Sequence, residues 1–362
     1  MRNIKMFITI VTMIIMAFSV VFGKTYFVKS TDEIEKAILS DIMSFEPTTV
    51  LVARGTNNST MLKVVDSVIK SLGEGLFLKQ WAENSVEQAG VVTTTITYTY
   101  LETAQERKAV DDFIQKNIVS IISGAKTEVE KVYMINEWIK LNIEYDKTYT
   151  YRSVYATLRN QRGVCQGYAL LFYKLAKAAG LQVYLVSGQG KDPTASAREL
   201  EPHAWNVVKL GNDYYYVDVT WNDGTGTNVY LLFGTDLAKY SHYPDTKLPV
   251  TISPKSYAAK LYDEIVKGKS LAASDIFDKL YGSLVLNYTN LVDYLYYGIK
   301  NKKEVNFVAD GNFVVNNLAN AIDDAMGYAK VYNLSYTYAY TYFFTTTDKK
   351  DFYVWKVQLK GK

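Results

Sequence analysis

One cysteine, Cys165, and two histidines, His203 and His242, supply all the thiol and imidazole chemistry of this 362-residue chain. Cys165 stands in Gly163-Val164-Cys165-Gln166-Gly167. Downstream of it Tyr168, Ala169, Phe172, Leu175, Ala176 and Ala179 recur at helical spacing, and Gly180 suits the position just past a helix end. The thiol is therefore expected at a helix N-terminus. There the free N–H groups and the positive end of the helix dipole favour thiolate over thiol. The same N–H groups can hold a developing oxyanion. Gly163 and Gly167 would let a substrate backbone come close. An isolated cysteine is commonly just a small buried hydrophobe, so the nucleophile reading requires a partner.

A thiolate nucleophile needs an imidazole. His203 lies in His203-Ala204-Trp205-Asn206-Val207-Val208, which reads as a strand. Gly211-Asn212 makes a turn, and Tyr214 to Trp221 reads as the returning strand. A two-residue turn pairs Leu210 with Asp213 and sets Asp218 opposite Trp205, on the face of His203 and diagonal to it. Diagonal neighbours are roughly 7–8 Å apart, within reach of side chains. A turn one residue longer sends Asp218 to the other face. With the even turn, Asp218 accepts from one imidazole nitrogen and the other faces Cys165. His242 is expected to be a satisfied core histidine. Trp205 and Trp221 are expected as walls of a cleft or as core.

Gly-Val-Cys-Gln-Gly-Tyr-Ala, then His-Ala-Trp-Asn-Val-Val, then Tyr-Tyr-Val-Asp-Val-Thr-Trp-Asn-Asp together resemble the transglutaminase-like superfamily, whose members share a papain-type Cys-His-Asp plan. The likeness spans roughly residues 105–245, and the segment Tyr230 to Pro244 resembles the tail of that domain. The resemblance implies Cys165 as nucleophile, His203 as base and acid, and Asp218 as the orienting group. Tyr155, which matches a recurrent tyrosine ahead of the cysteine, and Gln161 are candidates for a second oxyanion donor, with Trp205 beside them in the cleft. One cysteine and two histidines fall short of the usual structural zinc sets, and no calcium loop is readable, so neither metal nor cofactor is expected. Residues 218–228 read as a polar loop.

These residues need a scaffold. A chain of this length calls for two or three domains. Its 48% hydrophobic and 21% charged content describes a globular protein, and a net charge of +3 gives no argument for nucleic acid. Arg2 and Lys5 precede an uncharged run from Met6 to Phe22, with Val21 and Gly23 suited to a processing site. Residues 1–23 are expected to be a signal peptide, making the protein secreted or held at the cell surface; an uncleaved anchor is the alternative. Residues 24–102 read as a small α/β module with Ser59 capping its second helix. Residues 103–250 form the central domain. There Thr127 and Glu130 have capping-box spacing ahead of an apolar stripe of Val132, Ile135, Trp138, Ile139 and Leu141 to Ile143. Residues 255–362 read as a second α/β module resembling the first, with Leu334 to Thr345 aligned on Thr93 to Leu101. Tyr336, Tyr338, Tyr340 and Tyr342 alternate and so share one face of a strand, expected to be half buried.

The expectation is an α+β protein whose central transglutaminase-like domain packs helices on an antiparallel sheet. It would attack peptide or carboxamide bonds of a protein, peptide or peptidoglycan peptide through a Cys165 thioester, by hydrolysis or by transamidation. A surface binding module without turnover is the other class in play.

Overall fold

A computed structural model describes residues 23–191, 199–268, 271–301, 304–331, 334–345 and 349–361. The apolar run from Met6 to Phe22 lies outside them. Among the described residues no helix is long and apolar enough to cross a membrane.

The first module holds β1 (Lys24–Phe27), β2 (Thr48–Arg54), β3 (Leu78–Gln88) and β4 (Val91–Tyr100) in the order β1-β2-β4-β3. β1 and β2 run parallel and the other pairs antiparallel. Two helices, Thr31–Met43 and Asn58–Ser71, bury Ile34, Ile38, Ile42, Met61, Val65 and Ile69 against Leu51, Val92 and Ile96 of the sheet. The second helix begins two residues earlier than the Ser59 cap implies. Asn57 is the cap, and its side chain accepts the Thr60 N–H at 2.9 Å.

In the central domain β5 (Glu144–Tyr145) pairs with β6 (Arg162–Gly163), while β7 (Val183–Lys191), β8 (Leu200–Leu210), β9 (Asp213–Val217), β10 (Leu231–Phe233) and β11 (His242–Pro244) form one antiparallel sheet, ordered β10-β9-β8-β7-β11. Leu210 pairs with Asp213, so the hairpin has the even turn. Thr127 and Glu130 form the expected capping box on helix Glu128–Asn142. Val132, Ile135 and Ile139 are buried, whereas Leu141 points outward at 81% exposed. The Cys165–Ala178 helix crosses the sheet with Tyr168, Leu171, Phe172 and Leu175 fully buried. Each such side chain contributes about 1.5–3 kcal/mol relative to an exposed one.

The last module carries β12 (Ser283–Leu284), β13 (Val305–Asp310), β14 (Leu334–Thr345) and β15 (Asp351–Gly361) in the order β12-β13-β15-β14. β12 and β13 are parallel and the rest antiparallel, so strand order and directions repeat those of the first module. This topology corrects the alignment of its strands: β14 occupies the outer place of β3, and β15 the inner place of β4. Two preceding helices, Tyr257–Val266 and Leu271–Tyr281, put Ala258, Leu261, Phe277 and Leu280 into the central core. The tyrosine row is about half buried, as expected: Tyr336, Tyr338 and Tyr340 are 37%, 51% and 57% exposed, and Tyr338 and Tyr340 lie against Trp355 of β15.

The first module is fastened to the Cys165 helix. The Gln166 side chain donates to the Leu76 carbonyl at 2.7 Å, and Gly73 lies directly on the Leu185 carbonyl. A Cβ at Gly73 has only backbone to push against. Gly73→Ala is expected to lower the stability of the whole chain by about 1–3 kcal/mol, read as the urea midpoint, with little change in the denaturant slope.

Candidate active site

Cys165 is the first residue of its helix, with Val164 as a cap that makes no side-chain hydrogen bond. The approach is held by a buried carboxylate. Asp146 accepts from the N–H groups of Thr148, Thr150 and Tyr151, and its own N–H donates to the Gly163 carbonyl. Those bonds keep Asp146 well below the usual carboxylate range, the Thr148 hydroxyl foremost. The two glycines flanking the thiol have a different role from the one expected. The space a Cβ would need at Gly163 and at Gly167 is filled by Thr157 of helix Val154–Asn160, so they serve close helix packing rather than substrate approach.

His203 lies within β8 and hydrogen-bonds Cys165. Its Nε2 is 2.7 Å from Asp218 Oδ2, which leaves Nδ1 as the nitrogen for the thiol. Asp218 is not on a strand, as the sequence suggested. β9 ends at Val217, and Asp218 caps helix Val219–Thr225 by accepting the Trp221 N–H on Oδ1 at 3.1 Å. The stretch read as a polar loop is thus largely helical. Asn222 fixes that helix, donating to Asn136 and accepting the Tyr230 N–H. Tyr168 ties the Cys165 helix to it through a 2.7 Å bond to Asp223.

His242 meets the same carboxylate: its Nε2 is 3.1 Å from Asp218 Oδ2, and its Nδ1 is 2.8 Å from Ser241 Oγ. It is buried as expected, but its attachment to Asp218 was not foreseen. The His-Tyr-Pro stretch was noted only as domain tail. Its place beside the hairpin comes from the pairing of β11 with β7, which joins His242 to Gly190. Among the described residues His203, Asp218 and His242 are the one group of such side chains whose donor atoms lie within 4.8 Å of one another. Their mutual hydrogen bonds account for that closeness.

Burial pushes the Cys165 thiol up, but the hydrogen bond and positive charge of His203, with the Ala204 N–H, outweigh it and hold the thiol below its ordinary value. Burial lowers His203, yet Asp218 and the thiol raise it to about 10. Burial would raise Asp218, but His203 and the bond from His242 keep it well below the carboxylate range. His242 goes the other way: burial, against the pull of Asp218, brings it down to about 4. The arrangement joins a thiol, an imidazole and a carboxylate, and the shifts of Cys165 and His203 both favour the thiolate–imidazolium form.

The Trp221 ring stacks on His203 at 4.7 Å and 17°, and Trp205 lies near-parallel at 5.7 Å. Trp205 is fully buried and its Nε1 has no partner. Tyr155 is half buried on helix Val154–Asn160, its N–H donating to Glu102. Gln161 is an exposed left-handed residue that ends this helix and whose carbonyl accepts the Glu144 N–H.

The profile of a protein family described as Transglutaminase-like superfamily matches residues 115–219, a span containing Cys165, His203 and Asp218. The chain is 30% identical over 168 residues to the kyphoscoliosis peptidase of Mus musculus and 29% over 169 residues to that of Homo sapiens. In each case the match takes 41% of this chain and only 25% of the relative's length. A solved structure described as a TGase overlaps 48% of this chain and 51% of its own, at 16% identity and a TM-score of 0.29. Residues 115–219 of the central domain thus match the transglutaminase-like superfamily, and Cys165, His203 and Asp218 all lie within or at the end of that match.

The opposite shifts of the two histidines set a pH signature. His203 is protonated in both folded and unfolded chains below about pH 6.5, so its stabilising contribution is complete there and is lost only as pH rises through about 10. His242 stays neutral in the folded chain down to about pH 4, while the unfolded chain protonates it near 6.5. The unfolded state then binds more protons, and stability falls with pH across that window. Between pH 6.5 and about pH 5 this single group is expected to remove about 1–2 kcal/mol, a loss absent in His242→Gln, as measured by urea unfolding at each pH.

Proposed function

We propose that this chain is an exported thiol hydrolase that cuts peptide or amide bonds through a Cys165 thioester. The observation that carries the reading is the unbroken chain from Cys165 to His203 to Asp218. The thiolate attacks the scissile carbonyl carbon, and the developing oxyanion is met by the N–H groups at the start of the Cys165 helix. Tyr155 remains a candidate for further support of that oxyanion. His203 gives its proton to the leaving amine as the C–N bond breaks. It then takes a proton from water, which attacks the thioester, releases the acid and restores Cys165. Asp218 keeps His203 in the tautomer and orientation these transfers need.

Proteins, peptides and the peptides of peptidoglycan are the proposed substrates. That the two curated relatives are called peptidases supports peptide bonds over other amides. The basic and then apolar start of the chain supports export.

The test incubates the full chain with glutamine-containing peptides and wall-derived peptides, with a labelled primary amine present, and analyses the products by mass. Cleavage or deamidation that vanishes in Cys165→Ala is the expected outcome. Asp218→Ala is expected to cut turnover by about a thousandfold or more, since the imidazole loses its orienting partner. Stable amine incorporation with little hydrolysis would make the protein a transamidase instead. No acyl-Cys165 and no product would leave a binding module.

A further inference from the structure

Asp218 receives three donors, and the chemistry above uses only one. The Trp221 N–H fixes Oδ1, while His203 and His242 both converge on Oδ2 at 2.7 and 3.1 Å. His242 is 3% exposed, and the rings of Trp205, Trp221, Tyr230 and Phe233 surround it with centroids 4.3–5.7 Å away. The titratable groups that face it are Asp218, His203 and Tyr230, with the Ser241 hydroxyl on its far nitrogen.

We propose that His242 is a positioning residue: a neutral imidazole that donates its Nε2–H to Asp218 and so holds the carboxylate aimed at His203. The inference rests on the Cys165, His203 and Asp218 reading above. An ionised carboxylate only accepts, so both imidazole nitrogens that meet Oδ2 must carry protons. On His242 one proton suffices, because Ser241 Oγ can donate to Nδ1. A second proton would put a second cation among aromatic rings beside a carboxylate already paired with His203, an expensive burial. The Ser241 hydroxyl, which also reaches the Leu237 carbonyl at 3.5 Å, accommodates that tautomer, and His242 shares Oδ2 without competing for the proton that His203 moves. Without the second donor, Oδ2 is ordered by His203 alone, the very group it is meant to orient. The imidazolium is then less firmly held and the thiolate loses part of its partner.

Two measurements on the full chain test this. Nitrogen-15 NMR of the histidines at pH 6 should show His242 neutral with its proton on Nε2. A proton on Nδ1 instead would overturn the proposal without any variant. The second follows the pH dependence of Cys165 alkylation by iodoacetamide in the wild type, His242→Phe and His242→Gln. Phe keeps a ring but has no donor, whereas Gln can place an N–H near the Nε2 position. The acid limb of His242→Phe is expected to move up by about one pH unit, and His242→Gln to recover most of that shift. Superimposable limbs for wild type and His242→Phe would refute the positioning role while leaving the Cys-His-Asp reading intact. A wild-type thiol titrating near the ordinary value of about 8.5 would instead remove that reading itself. Should His242→Phe fail to fold, the tautomer decides.

Discussion

A negative charge that is 1% exposed has to be satisfied by the protein around it, and Asp218 is that charge. Its surroundings come from three separate places in the chain. β8 brings His203, β11 brings His242, and the first turn of helix Val219–Thr225 brings the Trp221 N–H. Removing any one would leave a buried acceptor short of a partner, at a cost of about 1–3 kcal/mol. The sheet order that sets β8, β7 and β11 side by side therefore positions the site and also makes the buried carboxylate tolerable.

The thiol depends on a second constraint, the tight packing of two helices. Thr157 fills the space beside both Gly163 and Gly167, drawing helix Val154–Asn160 against the start of the Cys165 helix. Asp146 pins the segment that leads into it, and Tyr168 joins it to the helix that follows Asp218. Cys165 is thus fixed from before and after, on a rigid element, which keeps the thiol in place beside His203. The Gln166 bond to Leu76 extends the same scaffold into the first module.

The two outer modules share one topology but present different edges. β3 carries Lys79, Glu83 and Glu87 along its length, while the exposed stretch of β14 from Ser335 to Tyr340 has no charged residue. Charge on an edge strand discourages pairing with other chains, so the first module's edge is better protected. The far end of β14 is anchored by Phe343 and Phe344 in the central core, which gives the last module a stake in the stability of the central domain.

Much of this was legible in the chain itself. The start of the Cys165 helix followed from the spacing of apolar residues and the capping box of Thr127 and Glu130 from its own short pattern. The hairpin itself was legible too, while its register was left between a two- and a three-residue turn until the pairing of Leu210 with Asp213 decided it. Those are local rules, acting over a few residues. The register placed Asp218 by Trp205 correctly in direction, even though the strand stops one residue before it. What the sequence alone could not decide was everything set by contact between distant segments. Gly163 and Gly167 looked like room for substrate, and only the fold puts Thr157 there. His242 looked like filler, because nothing within β11 says that it will lie against β7. Its meeting with Asp218 is a product of sheet pairing across fifty residues of chain, which periodicity cannot report.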